Sequence, residues 1–63
     1  MKKKILIISG GISKERLISL DTGFQVASEL KNNGYKVRIS EPDASLEKNI
    51  KGFKPSIIFN ALH

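Results

Sequence analysis

Two adjacent glycines follow an apolar segment near the start of the chain, in the sequence ISGGISKERLIS at residues 8–19. Glycine permits positive φ and lets a ligand approach the backbone closely, and a helix N-terminus just beyond it offers unpaired N–H groups that suit an anion. The spacing matches neither the dinucleotide nor the mononucleotide phosphate motif. Gly10 and Gly11 therefore form either a tight turn between strand and helix or a direct ligand contact, and their spacing leaves both open.

An acidic residue, Glu15, lies where the predicted helix begins. Negative charge is favoured in the first turn of a helix, so this carboxylate could satisfy first-turn N–H groups and discourage an anionic ligand. A carboxylate there would attract an ammonium instead; the alternative is simple complementarity to the helix dipole. Ser13 is the expected helix cap. Ser19 is either a competing cap or a polar contact, and Arg16 either pairs with a carboxylate or, as we favour, lies in solvent.

The elements that position these residues alternate between strand and helix along the chain. We predict strands at 4–9, 35–40 and 56–62, a helix from about 13 to the Asn-Asn-Gly stop at 32–34, and a shorter helix at about 45–52. The long helix should bury the stripe Leu17, Leu20, Phe24, Ala27 and Leu30. The order predicts an α/β fold: a three-stranded parallel, Rossmann-like βαβαβ sheet with strand order 2-1-3. Strands one and three should be buried, and strand two should lie at an edge.

The carboxyl ends of the first and third strands should meet at the switch point of such a sheet, where ligands bind. These ends are Gly10–Gly11 and residues 60–63, about fifty residues apart in sequence. His63 would then lie beside the glycine turn, either as a structural residue or close to a ligand. Glu41 and Asp43 follow the second strand, and we assign them to a turn because the glycine fingerprint of dinucleotide folds is absent.

Composition excludes several classes of protein. The 63 residues allow one domain, contain no cysteine and one histidine, and so offer no disulfide and no zinc site. The apolar run after the N-terminal lysines is too short for a signal peptide or a membrane span. The net charge is +5, but the basic residues are scattered and do not cluster with aromatics, so we expect a solvated surface and no nucleic-acid partner. A sheet this small should either associate or belong to something larger, and the chain looks cut off after the third strand.

The segments ILIISGGISKERLISLDTG and PSIIFNALH together resemble the N-terminal domain of bacterial D-alanine–D-alanine ligases. Two separated motifs in the correct order cover nearly the whole chain. The resemblance implies that residues 1–63 form the N-terminal, pre-ATP-grasp lobe of an enzyme that joins two D-alanines with ATP and magnesium, through an acyl phosphate, for peptidoglycan synthesis and the cell wall. It implies a cytoplasmic enzyme whose ATP-grasp lobes, with the cofactor sites, lie in the rest of the ligase chain.

The resemblance also implies site residues. Glu15 matches the catalytic, substrate-binding glutamate that orients the amino group of the first D-alanine, and His63 matches a histidine near that substrate. Gly10, Gly11 and Ser19 match positions that line or shape the site. Two residues depart from the pattern: isoleucine replaces threonine at position 12, and leucine occupies position 17. The chain alone is predicted to be inactive. The alternative is a stand-alone βαβ interaction module that covers its sheet by associating, for example as a homodimer.

Overall fold

The computed structural model describes residues 3–12 and 14–62. The elements are β1 (Lys4–Ile8), α1 (Arg16–Asn32), β2 (Lys36–Ser40), α2 (Leu46–Phe53) and β3 (Ile57–Asn60). The strands form one parallel sheet in the order β2-β1-β3. The predicted α/β fold and its 2-1-3 strand order are confirmed, with β2 at an edge as expected.

The central strand β1 carries the core. Ile5, Leu6 and Ile7 are at most 5% exposed, and side chains alternate between the two faces of a strand. Ile5 and Ile7 pack with Ala27 of α1, which places Leu6 on the opposite face of the sheet. The prediction of a first strand buried on both faces is confirmed.

Helix α1 contacts the sheet through small residues. Its buried residues are Ser19, Gly23 and Ala27, spaced four apart, whereas Leu17 and Phe24 are 76% and 60% exposed. The predicted apolar stripe is therefore wrong at these two positions. The cause is a close approach: a Cβ built on Gly23 would lie 2.6 Å from the hydroxyl oxygen of Ser9, so only small side chains fit between α1 and β1.

The C-terminus of α1 agrees with the sequence prediction. Gly34 has φ +90°, its N–H donates to the Lys31 carbonyl, and the Tyr35 N–H donates to the Leu30 carbonyl. This pair of hydrogen bonds is the Schellman arrangement that ends a helix at a left-handed glycine. The turn redirects the chain into β2.

The outer strand β3 is more exposed than the sequence suggests. We predicted a buried strand, but Ile57, Ile58 and Phe59 are 43–48% exposed. The reason is topological: β3 pairs only with β1, and neither α1 nor α2 contacts it. Within the described ranges, neither helix is long and apolar enough to span a bilayer.

Candidate functional site

The glycine turn after β1 uses its own N–H groups within the protein. Gly10 and Gly11 both have positive φ, +92° and +94°. The Gly10 N–H donates to Ser19 Oγ at 2.8 Å, and the Gly11 N–H donates to Glu41 Oε1 at 3.2 Å. These are the donors that an anionic ligand would require, and protein oxygens already accept from both.

Ser19 joins the turn to the end of the third strand. Its side chain is buried, with the residue 1% exposed, and its hydroxyl donates to the Ala61 carbonyl at 2.8 Å while accepting from Gly10. The Ala61 N–H also donates to the Ile8 carbonyl at 2.8 Å. The structure thus brings together the two strand ends that the topology placed side by side. Ser19 lies inside α1, so of the two roles left open for it, helix cap and polar contact, the structure shows the polar contact.

Glu41 is the residue whose role the sequence did not reveal. Its carboxylate accepts from Arg16 through both oxygens, at 3.0 Å from Nε and 2.8 Å from the terminal nitrogen. Hydrogen bonding from Arg16, and then from the Gly11 N–H, holds the pKa of Glu41 below its ordinary value of 4.5. The same hydrogen bond raises the pKa of Arg16. Arg16 is therefore paired, contrary to our preference for solvent, and Glu41 does more than form a turn.

The two glycines are required for different reasons. A Cβ on Gly10 would lie 2.6 Å from Glu41 Oε1, whereas a Cβ on Gly11 would meet Pro42 at 3.6 Å, an ordinary contact. Both positions lie at positive φ, which disfavours other residues. Gly10 therefore satisfies two constraints, space and backbone conformation, and Gly11 satisfies the second.

Glu15 occupies the N-cap position of α1. It is exposed, and its side chain makes no capping hydrogen bond, while its backbone carbonyl accepts from the Ser19 N–H at 2.9 Å. The helix begins at Arg16 with no acidic residue in its first turn, so the predicted use of the Glu15 carboxylate on first-turn N–H groups is wrong. Ser13 and His63, both named from the sequence, lie outside the described residues.

A second buried serine adjoins the turn and was not foreseen. Ser9 is fully buried, and its hydroxyl has no hydrogen-bond partner among the described residues. It faces Gly23 at the closest approach of α1 to β1. Within the described part of the chain the two serine hydroxyls therefore differ: that of Ser19 makes two hydrogen bonds, and that of Ser9 makes none.

A parallel α/β sheet of this kind can serve many functions, so the fold alone does not identify the family. No family model matches the chain. It is 78% identical over 63 residues to a D-alanine–D-alanine ligase of Pelagibacter ubique, covering 100% of this chain and 21% of that relative. It is 39% identical over 62 residues to the Zymomonas mobilis enzyme of the same name, covering 98% and 19%.

A third relative, from Moorella thermoacetica, has the same name and is 40% identical over 60 residues, covering 95% of this chain and 19% of the relative. The chain spans about a fifth of the length of the curated relatives that it matches. Over that length the chain is homologous to the N-terminal region of proteins named D-alanine–D-alanine ligase. The resemblance stated from two sequence motifs is confirmed.

Proposed function

We propose that this chain contributes to the substrate site of a D-alanine–D-alanine ligase, in which the Glu15 carboxylate binds the ammonium group of the first D-alanine. The names of the relatives support the reaction. The position of Glu15, exposed at the start of α1, supports its role. Gly10, Gly11 and Ser19 shape this end of the sheet, and His63, which lies outside the described residues, matches a family histidine near the same substrate.

The observation that carries the proposal is the state of the glycine turn. Both of its N–H groups donate to protein oxygens, and one of these belongs to the carboxylate of Glu41. A phosphate or carboxylate ligand could accept from the Gly11 N–H only by displacing the Glu41 carboxylate. The negative charges of the ligand and of Glu41 would also repel each other. A cationic group does not compete with Glu41 for the N–H groups of the turn. Because Arg16 already pairs with Glu41, the carboxylate of Glu15 is the partner we assign to the ammonium.

The described residues show no cluster of metal-ligating side chains. Residues 3–12 and 14–62 contain no group of three or more histidine, cysteine, aspartate or glutamate side chains that could hold a metal ion. We assign ATP and magnesium to the ATP-grasp lobes of a complete ligase, on the strength of the family relationship. In this proposal the complete enzyme acts in the cytoplasm and supplies a peptidoglycan precursor, and residues 1–63 alone release no phosphate from ATP in the presence of D-alanine.

A chimaera tests the role of Glu15 directly. This chain replaces the matching fifth of the Pelagibacter ubique relative, and ligase activity is measured for the chimaera and its Glu15→Gln variant. A hydrogen bond to a charged group is worth about 1.5–3 kcal/mol, so kcat/KM for D-alanine should fall by about ten- to a hundredfold. The KM for ATP should change little, because the substitution concerns the amino-acid site.

The matched control is Glu47→Gln, which makes the same chemical change on α2. Glu47 is exposed and, among the described residues, pairs with Lys51 alone, at 3.0 Å, and a surface pair of this kind contributes little. Its kcat/KM should remain within about twofold of the parent chimaera. Equal losses in the two variants would contradict the ammonium site, and an inactive parent chimaera would contradict the assignment of this chain to the ligase.

A second candidate function follows from the exposure of β3. Ile57, Ile58 and Phe59 form an apolar edge that no helix of the described residues covers, as a stand-alone interaction module would require. Sedimentation equilibrium of the isolated chain distinguishes the interaction module from the ligase lobe. A dimer that Phe59→Lys dissociates would favour the module, whereas a monomer at micromolar concentration would favour a lobe that the rest of a ligase covers.

A further inference from the structure

A basic groove lies at the opposite end of the sheet from the glycine turn. It has a volume of about 490 Å³. We define it by six of its lining residues: Lys4, Lys31, Tyr35, Lys36, Arg38 and Phe53. They come from the amino ends of β1 and β2, the C-terminal ends of both helices and the turn after α1. The prediction that basic residues do not cluster with aromatics is therefore wrong here.

The cluster is not apparent in the sequence because strand pairing brings together residues that are distant along the chain. In the parallel register Lys4 lies directly opposite Lys36, although the two are 32 positions apart in sequence. Arg38 is two residues beyond Lys36 and so projects from the same face of β2, about 6.6 Å further along. Lys31 joins them because α1 ends beside the start of β2.

The four cations of the groove have no carboxylate partner among the described residues. The two ion pairs there are Arg16–Glu41 and Lys51–Glu47, and neither involves the groove. No acidic residue lines it. Four like charges repel one another, and an anion placed among them would relieve that repulsion.

Helix dipoles account for part of this charge but not for all of it. Both helices end near the groove, and each C-terminus carries the equivalent of about half a negative charge. Lys31, in the last turn of α1, fits that explanation. Two helix ends offset about one of the four positive charges, which leaves a strongly positive groove.

The Phe53 ring organises two of the cations. The Arg38 guanidinium carbon lies 4.9 Å from the ring centroid, and Lys4 Nζ lies 5.7 Å from it. A guanidinium stacked on a ring keeps its N–H groups at its edge, in the planar fork that matches phosphate oxygens. Because cations already cover this ring, it is not available to stack a base, as proteins that bind single-stranded nucleic acid require.

We propose that the basic groove binds an anion that contains two or more linked phosphates. Its volume falls within the range of small-molecule sites, about 300–1,000 Å³. The Arg38 fork binds one phosphate, and the ammonium groups of Lys4, Lys31 and Lys36 neutralise the next. A single phosphate would leave most of these cations unpaired, so chain length should increase affinity. This site is separate from the proposed D-alanine site.

Titration of the ¹⁵N-labelled chain with sodium tripolyphosphate, followed by amide chemical shifts, tests the proposal. At low ionic strength we expect saturable shifts at residues 31, 35–38 and 52–53, and weaker binding as salt is added. Tripolyphosphate should bind at least about tenfold more tightly than monophosphate, since linked groups act at high effective concentration. Shifts centred on the glycine turn, or equal affinity for the two anions, would overturn the proposal.

Charge-matched variants separate the groove from the overall charge of the chain. Arg38→Ala should weaken tripolyphosphate binding about fivefold or more. Arg38→Lys should weaken binding less, because lysine keeps the positive charge and loses only the planar guanidinium donors. If Arg38→Ala folds poorly, Lys36→Ala takes its place and should likewise weaken tripolyphosphate binding. Lys48→Ala, outside the groove, removes the same charge and should have an effect below about twofold.

A single-stranded oligonucleotide provides the competing outcome. If a 12-nucleotide thymidine oligomer binds more tightly than tripolyphosphate and also broadens aromatic resonances, the groove is a nucleic-acid surface and our proposal is wrong. Equal losses for Arg38→Ala and Lys48→Ala would likewise reject it, since they would show attraction by net charge alone. Neither result would affect the role proposed for Glu15, which the chimaera tests independently.

Discussion

Two buried serines beside the glycine turn should respond in opposite ways to the same substitution. Ser19→Ala removes a hydroxyl that satisfies both the Gly10 N–H and the Ala61 carbonyl, whereas Ser9→Ala removes a hydroxyl without a hydrogen-bond partner among the described residues. Both side chains are buried, and both changes delete one oxygen atom. The comparison therefore isolates the hydrogen bonds from the loss of volume.

The magnitude follows from the groups left behind. Each buried polar group that loses its partner costs about 1–3 kcal/mol, and Ser19→Ala leaves two, while the better helix propensity of alanine returns about 0.5 kcal/mol. We expect a net loss of about 2 kcal/mol or more in the free energy of unfolding. Ser9→Ala should be neutral or stabilise the protein by about 1 kcal/mol, because it removes the desolvation cost of a buried hydroxyl.

Urea unfolding followed by circular dichroism measures both changes. With a slope of about 1 kcal/mol/M for a domain of this size, the midpoint of Ser19→Ala should lie about 2 M below that of the parent chain, or the variant should be unfolded without urea. Ser28→Ala, an exposed site on the same helix, controls for helix propensity. If Ser19→Ala and Ser9→Ala have the same midpoint, the hydrogen bonds attributed to Ser19 do not hold the turn to β3.

Two further substitutions test the packing and the charge around the turn. Gly23→Ala should destabilise the chain by about 1–3 kcal/mol despite a better helix propensity, because its Cβ would lie 2.6 Å from Ser9 Oγ. Gly52→Ala should stabilise the chain, because nothing lies within 4 Å of a Cβ at that position. Urea midpoints of the two variants that move in the same direction would contradict the close approach of α1 to β1. The lowered pKa of Glu41 means that its contribution to stability is present above pH 4.5 and is lost as the pH falls below that value through the folded-state pKa. Glu41→Gln should therefore lower the urea midpoint at pH 6 and have a smaller effect at pH 3, and an effect that is the same at both pH values would rule out the ion pair as the cause.

The order of strands and the meeting of their ends followed from the sequence because they depend on strong, general rules. Alternating strand and helix patterns dictate a parallel sheet with right-handed crossovers, and the Asn-Asn-Gly stop predicted the end of α1. The first strand was predicted to be buried because its apolar run is continuous. These features follow from the local pattern of apolar, polar and turn residues, and they do not depend on which distant residue makes a contact.

The errors arose where partners distant in sequence decide the outcome. Periodicity placed Leu17 and Phe24 in the core, but the packing distance set by Gly23 and Ser9 turned smaller residues toward the sheet. The Arg16–Glu41 pair joins residues 25 positions apart. Its signal was nevertheless present, since Glu41 follows β2 at the same edge of the sheet where Gly10 follows β1. The topological argument that brought β3 to the turn applies equally to β2.

The contact between the glycine turn and the end of β3 underlies the substrate site proposed for this chain, and nuclear Overhauser spectroscopy measures it directly. With Ser19 Oγ 2.8 Å from the Ala61 carbonyl oxygen, the β-protons of Ser19 should give cross-peaks to protons of Ala61 or Leu62. A spectrum with clear cross-peaks between β1 and β2, yet none from Ser19 or Gly10 to residues 61–62, would show that the two strand ends do not form one site.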